Sequence, residues 1–389
     1  MSGRGGRILP DWKIKELIKG GAITGADESL VNASSLDLRV GVQKWKLLGS
    51  FLPVEGQSLD ELLGLSPGDL WGPQSVVDDA NVREDNFYME PDQPYLMKLV
   101  EGLNLPPTVS ARIFNKSGRG RVGISQKSLV EGSTRFDAVP KGYSGPIFSE
   151  LCATMCPVVI TPNKTQIPQI RFYEGNPQPV PGVDLGMILE NNPILTDNKG
   201  NPSYNGEDRE EIFNSGKLTF HADLSGDVMV YKAKKDRRTI VLSEKGRYEP
   251  EHFFEPIRAV QGERRVIIHP GEFILVPSLE NIRLPKMFAA EISDYSPDLG
   301  DVKTSYANLI NAGHGYDPKD PNVPAHIVFE ARARDLPVVL QHGQRIARFE
   351  IYMMFDEPEQ QYFAVRSTGF DDLPSLLPNQ FKKEKPAKA

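Results

Sequence analysis

Apolar residues in this chain fall in short runs, many alternating with polar residues in a period of two. Runs of this kind occupy residues 35–40, 95–100, 147–151, 266–268, 272–276, 327–330 and 345–354. Most are bounded by Gly, Pro, Asn or Asp, the residues that punctuate strands. Residues 11–19, DWKIKELIK, differ: their apolar positions follow a helical spacing that stops at Gly20-Gly21. The pattern predicts a mainly β protein of sandwich or barrel type with a few short helices.

The strand pattern is stated twice. Leu105-Pro106 is followed twelve positions later by Ser117, then by Ser149-Glu150-Leu151, Pro157-Val158-Val159 and the strand-like residues 167–173. The same order recurs about 180 residues on, as Leu284-Pro285, Ser296, Phe329-Glu330-Ala331, Pro337-Val338-Val339 and residues 346–352. A unit this long is a duplicated domain, because solenoid repeats run to about 20–50 residues. The 389 residues hold two domains of ordinary size. The expected division is 1–174, a connection over 175–216 that is rich in Pro, Gly, Asn and Asp, 217–381, and a charged tail over 382–389.

Composition narrows the class. With 39% apolar and 25% charged residues the chain reads as globular. No apolar run reaches the roughly 18 residues of a membrane span, and Met1 to Arg7 lead into no signal-peptide core, which predicts a cytoplasmic protein. Cys152 and Cys156 are too few for a disulfide framework and read as ordinary thiols. A formal charge of −7 argues against a nucleic-acid surface, so an anionic ligand needs a local basic pocket. Residues 116–121, KSGRGR, offer one: three cations, a hydroxyl and two glycines, where backbone amides and arginine forks can reach an anion's oxygens.

The ordered motifs resemble the dCTP deaminases, which share a fold with trimeric dUTPases. In the first half they are Ile8-Leu9-Pro10-Asp11 and its helix, Ser34-Ser35-Leu36-Asp37-Leu38-Arg39, Leu105-Pro106, the basic stretch with Val122-Gly123-Ile124, and Gly142-Tyr143-Ser144-Gly145 leading to Glu150. In the second half they are His269-Pro270-Gly271-Glu272, Leu284-Pro285, Asn311-Ala312-Gly313 and residues 327–330. The resemblance covers most of the chain in two copies and implies tandem dUTPase-like β-barrel or jelly-roll domains. It also implies hydrolysis of dCTP to dUTP and ammonia, with Mg2+ carried on the triphosphate and a homo-oligomer, a trimer foremost. It leaves dTTP open as a feedback ligand.

The resemblance places nucleotide binding on Ser117 and Arg121, with Lys116 and Arg119 beside them, and the general base on Glu150 or its second copy, Glu330. The first half has Arg135-Phe136-Asp137 where the family sets a Thr-Ala pair against the base, whereas the second half is expected to supply Ala312 there. Gln344, matching Gln166, could reach phosphates. In the second half the loop reads Ser296-Pro297-Asp298-Leu299-Gly300-Asp301, so its cations are gone. A site combining Ser117 and Arg121 with Glu330 is one possibility. Simple threefold packing sorts first halves into one ring, which ranks Glu150 ahead of Glu330.

Deamination at C4 of cytosine needs an activated water. The zinc solution uses an H-x-E with P-C-x-x-C pattern; Cys152 and Cys156 are spaced C-x3-C with no such His upstream. The expectation is therefore no metal at the reacting carbon and a glutamate whose pKa burial raises. Weaker candidates are an arm at Arg366-Ser367-Thr368-Gly369-Phe370, a sugar contact at Asp317, and His269 and His314, which read as turn or packing residues. The same fold also fits a dUTP pyrophosphatase, an enzyme performing both steps, or a non-catalytic nucleotide-binding scaffold.

Overall fold

The structure is a computed structural model and describes residues 6–63, 86–260, 262–293, 297–304, 309–316, 325–360 and 376–382. The basic loop, both glutamates, Phe136, Ala312 and Gln344 are among them. Ser296, Asp317, the arm at 366–370 and residues 383–389 of the expected tail lie outside the described residues.

The repeated sequence is a repeated sheet. In the first half the Ser144–Ala153 strand lies between Ile124–Val130 and Pro94–Asn104, and Gln166–Glu174 lies between Ser35–Lys46 and Val109–Asn115. In the second half His326–Ala333 lies between Val302–Thr304 and Phe273–Ile282, and Arg345–Met353 lies between Lys217–His221 and Phe288–Ile292. One strand of the first half, Ser35–Lys46, pairs into both of its sheets. Its role is divided in the second half between Lys217–His221 and Val228–Ala233.

Alternation decides which face each strand buries. Along Val109–Asn115, Val109, Ala111 and Ile113 point into the first core while Ser110, Arg112 and Phe114 face outward. Along His326–Ala333, Phe329, Ala331 and Ala333 enter the second core, where Phe329 and Phe349 meet Phe220 edge to face at 5.7 and 5.1 Å. Each buried Val, Ile or Phe among them contributes about 1.5–3 kcal/mol by leaving water.

The segment read as a connection carries two helices, Gly182–Asn191 and Gly206–Ser215, packed on each other. Their Leu185, Leu189 and Ile212 belong to the second core. Asn205 starts the latter helix with a reciprocal capping box to Asp208, and Gly216, at φ +70°, ends it. At the chain's other end, Phe381 packs among Tyr248, Phe253 and Phe254, and Lys382 is held by Tyr248 and Glu249.

A buried polar network joins the halves. Arg171, fully buried, donates to Glu291 at 3.0 Å, to the carbonyls of Ala290 and Ile310 at 3.1 and 2.9 Å, and to the Ser34 hydroxyl at 3.2 Å. Glu291 also accepts from Arg112 at 2.8 Å and from the Tyr173 hydroxyl. Arg112 and Arg171 are cross-strand neighbours in the first half; the same two ladder positions in the second half hold Glu291 and Glu350. The Asp11 carboxylate, buried at the helix start, accepts from the Glu359 and Gln360 amides at 2.9 Å each and ties the first helix to the end of the second half.

Within the second half, His221 Nδ1 lies 2.6 Å from Glu280 and its Nε2 lies 3.8 Å from Asp208. Burial alone would pull the imidazole pKa down, but Glu280 and Asp208 outweigh it against the opposing charge of Arg345, and the folded value is raised. A raised folded value means stabilisation that is full below the unfolded pKa of about 6.5 and is lost as pH rises through the folded one. His221→Gln is accordingly expected to lower Tm more at pH 5.5 than at pH 9. An equal loss at both pH values in thermal melts would contradict this account.

Candidate active site

The basic loop of the first half is a single helical turn, Ser117–Gly120, entered from an extended Lys116 and closed by Arg121. Backbone bonds from Gly120 to Lys116 and from Arg121 to Ser117, both 3.0 Å, hold it. Gly123, at φ +75°, is required by packing, since a Cβ there would sit 2.8 Å from Met155 Cβ. A Cβ on Gly118 would meet nothing, and Ser117 is exposed, so the outer side of the turn is open.

The three cations do different work. Lys116 is paired with Asp37. Arg119 donates to the carbonyls of Gln166 at 2.8 Å and Leu242 at 3.1 Å, and burial pulls its pKa down to about 10. Both bonds brace the loop. Arg121 is buried at the end of the turn, with Nη1 3.4 Å from the Leu376 carbonyl. Gln166 lies beside the loop, whereas the Gln344 side chain closes its own turn on the Gln341 amide at 3.1 Å.

Glu150 sits mid-strand, opposite Leu96 on one side and Lys127 on the other. Burial pushes its carboxyl pKa up against the Ser50 hydroxyl, Lys127 and the Phe51 amide, and its Oε2 has no hydrogen-bond partner. Its sheet face is filled by its own half: Leu96, Leu129 and Phe148 pack with Leu47, Phe51, Leu59 and Leu62. Phe136 packs against that cluster, with Lys127 Nζ 4.7 Å from its ring centre. Asp137, next to it at φ +62°, accepts from the Ser128 amide at 2.7 Å, and burial pushes its pKa up to about 7.

A cleft of about 480 Å³ separates the halves here, lined by Arg112, Phe114, Phe136, Asp137, Lys303 and Arg348 among others. On its far wall the second half's loop is closed. Arg348 holds Asp298 through two bonds of 2.9 and 2.6 Å and Glu211 at 2.6 Å.

Glu330 occupies the ladder position of Glu150, opposite Leu275, and is 2% exposed. The Asn311-Ala312-Gly313 expectation is corrected by register. Leu284 bonds the His314 carbonyl as Leu105 bonds that of Tyr143, both at 2.8 Å, so Ala312 matches Lys141 in the turn before Tyr143. Ala312 is fully buried against the first half, its amide donating to Ser34 Oγ at 3.2 Å, and it cannot face a bound base. His314 serves that turn through its carbonyl, and His269 serves another, its amide donating to Glu272 at 2.8 Å.

The two halves are thus one antiparallel β architecture stated twice, each with a buried glutamate at the same ladder position and the first with a cationic loop. The description "2'-deoxycytidine 5'-triphosphate deaminase (DCD) N-terminal domain" matches residues 5–176, and that of the C-terminal domain matches residues 194–372. The chain belongs to the dCTP deaminase family. It is similar to the "dCTP deaminase, dUMP-forming" of Corynebacterium efficiens, 30% identical over 25% of this chain and 47% of that protein. It is similar also to that of Dictyoglomus thermophilum, 29% identical over 43% of this chain and 80% of that protein. The chain spans about half the length of the curated relatives it matches first. A crystal structure of 2'-deoxycytidine 5'-triphosphate deaminase from Agrobacterium tumefaciens superposes with a TM-score of 0.79 at 25% identity, over 92% of this chain and 98% of that one.

Proposed function

We propose that the chain hydrolyses the 4-amino group of dCTP, holding the Mg2+-bound triphosphate at the first-half loop through Ser117 and Arg121. The reading is carried by one observation: a single loop of the duplicated pair keeps its cations and an open side, while the other is closed by Asp298, Arg348 and Glu211. In this reaction a buried glutamate takes a proton from water as the oxygen attacks C4. It passes that proton to ring N3, then takes the second proton from the C4 hydroxyl and gives it to the amine, so that ammonia leaves as the C4 carbonyl forms. A carboxyl raised toward neutrality by burial suits both transfers.

The same reading places the protein in the cytoplasm as a homo-oligomer, a trimer foremost, and leaves dTTP as a feedback ligand at the loop. The names of the relatives favour one second reading, in which pyrophosphate is also released and dUMP is the product. Incubation with dCTP, dUTP and dCMP, each with Mg2+, separates the possibilities. Ammonia with dUTP supports simple deamination, ammonia with pyrophosphate supports both steps, and binding without turnover supports a scaffold.

Among the described residues no three or more His, Cys, Asp or Glu side chains cluster as metal ligands. The proposed step uses no zinc. Treatment with a zinc-selective chelator is expected to leave ammonia release unchanged, while removal of Mg2+ weakens nucleotide binding. Stoichiometric zinc whose removal abolishes turnover would sink the mechanism.

A further inference from the structure

The first-half loop is bordered by the second half as well as by its own. Residues 240–242 lie along Val158–Ile160, the amides of Ile240 and Leu242 donating to the carbonyls of Pro157 and Val159, both at 3.0 Å, and both side chains are buried. The Leu242 carbonyl also accepts from Arg119 of the loop and from Gln380, each at 3.1 Å. Residues 243–247 then turn against the C-terminal stretch, Gly246 bonding Asn379 at 2.9 Å and Arg247 bonding Gln380 at 3.0 Å. That stretch reaches the loop too, since the Leu376 carbonyl accepts from Arg121 at 3.4 Å.

The segment that docks there is strongly basic. Residues 232–247, KAKKDRRTIVLSEKGR, carry seven cations and two carboxylates in a chain whose formal charge is −7. Lys234, Lys235, Arg237 and Arg238 stand exposed before the docked strand, and Lys245 and Arg247 stand exposed after it. Both carboxylates are taken up inside the segment, Asp236 by Arg238 at 3.3 Å and Glu244 by Arg247. Arg237 and Lys245 form no ion pair among the described residues. The second half has no counterpart, because Val338–Gln341, the equivalent of Val158–Ile160, pairs among the described residues with Arg265–Ile268 alone. The basic segment thus borders the half whose loop keeps its cations.

We infer that residues 232–247 of the second half are a basic rim that draws the polyphosphate of the nucleotide to the Ser117–Arg121 loop of the first. This rests on the proposed placing of the triphosphate at that loop. The exposed cations act through solvent rather than by contact, so they govern encounter and affinity and leave the chemical step alone. Their field reaches about 30 Å at 0.01 M salt and about 8 Å at 0.15 M, which makes salt the signature of the rim.

Arg237→Gln combined with Lys245→Gln tests the rim, since neither side chain holds an ion pair whose loss would unsettle the fold. Lys199→Gln combined with Arg209→Gln, two exposed cations of the connecting segment, is the control of equal charge change. Calorimetry with inorganic tripolyphosphate reads binding without requiring turnover. At about 0.01 M salt the rim variant is expected to bind about tenfold more weakly than the parent, shrinking to about twofold at 0.15 M, while the control stays within about twofold throughout. Where the chain releases ammonia from dCTP, KM follows the same pattern and kcat is unchanged. A parent that binds no tripolyphosphate at either salt overturns the loop as the phosphate site, and the rim with it. A parent that binds, with a rim variant that loses nothing, loses equally at both salts, or loses no more than the control, overturns the rim alone.

Discussion

Arg121→Ala is expected to lower kcat/KM for dCTP about a thousandfold, roughly 4 kcal/mol. The guanidinium ends the helical turn of the loop and is buried there, with its backbone nitrogen bonded to Ser117 at 3.0 Å. A fork fixed in that way can grip two phosphate oxygens at small entropic cost. Alanine removes the fork and leaves the anion opposite the Asp37 carboxylate that Lys116 holds. Both KM and kcat should suffer, because charge on the triphosphate must stay placed while the base reacts. Asp301→Ala in the second half is expected to change little, since Arg348, Asp298 and Glu211 close that loop. Nucleotide titration should count one site per chain. Two equivalent sites, or unchanged kinetics for Arg121→Ala, would mean that the loops have been assigned the wrong way round.

Arg171→Met is expected to destabilise the protein by up to about 3–5 kcal/mol, the range for breaking a buried ion pair, with Glu291 left to Arg112 and Tyr173. Arg171 is fully buried and satisfies Glu291, two second-half carbonyls and Ser34. Its loss deprives Glu291 of one cation, and burial together with that carboxylate already holds the Tyr173 hydroxyl pKa well above its ordinary range. Denaturant unfolding measures the effect. Adding Glu291→Leu to Arg171→Met should recover part of the loss by removing a buried anion that has lost one of its two cations. A single variant as stable as the parent would show that the network contributes no cohesion.

Much of the architecture was readable because duplication doubles every signal. Leu105-Pro106 and Leu284-Pro285 recur because each opens the same turn, with Leu105 and Leu284 bonding equivalent carbonyls. The helix at Asp11–Lys19 followed from spacing and its Gly20 stop. The helices between the halves were missed because each is short and lies in a segment punctuated by Pro, Gly, Asn and Asp, and Gly206–Ser215 carries only Ile212 and Phe213 as apolar residues. The Asn205 and Asp208 capping box was the available signal. Ala312 was misplaced for a different reason. Loops of unequal length separate the anchors in the two copies, so counting from a motif fails where the strand ladder does not. The cover over Glu150 depends on residues about a hundred positions away, and no local pattern announces it.

The exchange of Arg112 and Arg171 for Glu291 and Glu350 at matching ladder positions makes the two halves non-interchangeable. Within the first half, two arginines stand directly opposite each other; within the second, two glutamates do. Each pair repels itself; Glu291 of the facing half neutralises both arginines, while Glu350 meets Lys217 of its own half. A first half meeting another first half would bring four positive charges together, and two second halves four negative ones. The charge pattern thus acts as a lock and key between once-identical copies, selecting the unlike pairing over both like pairings.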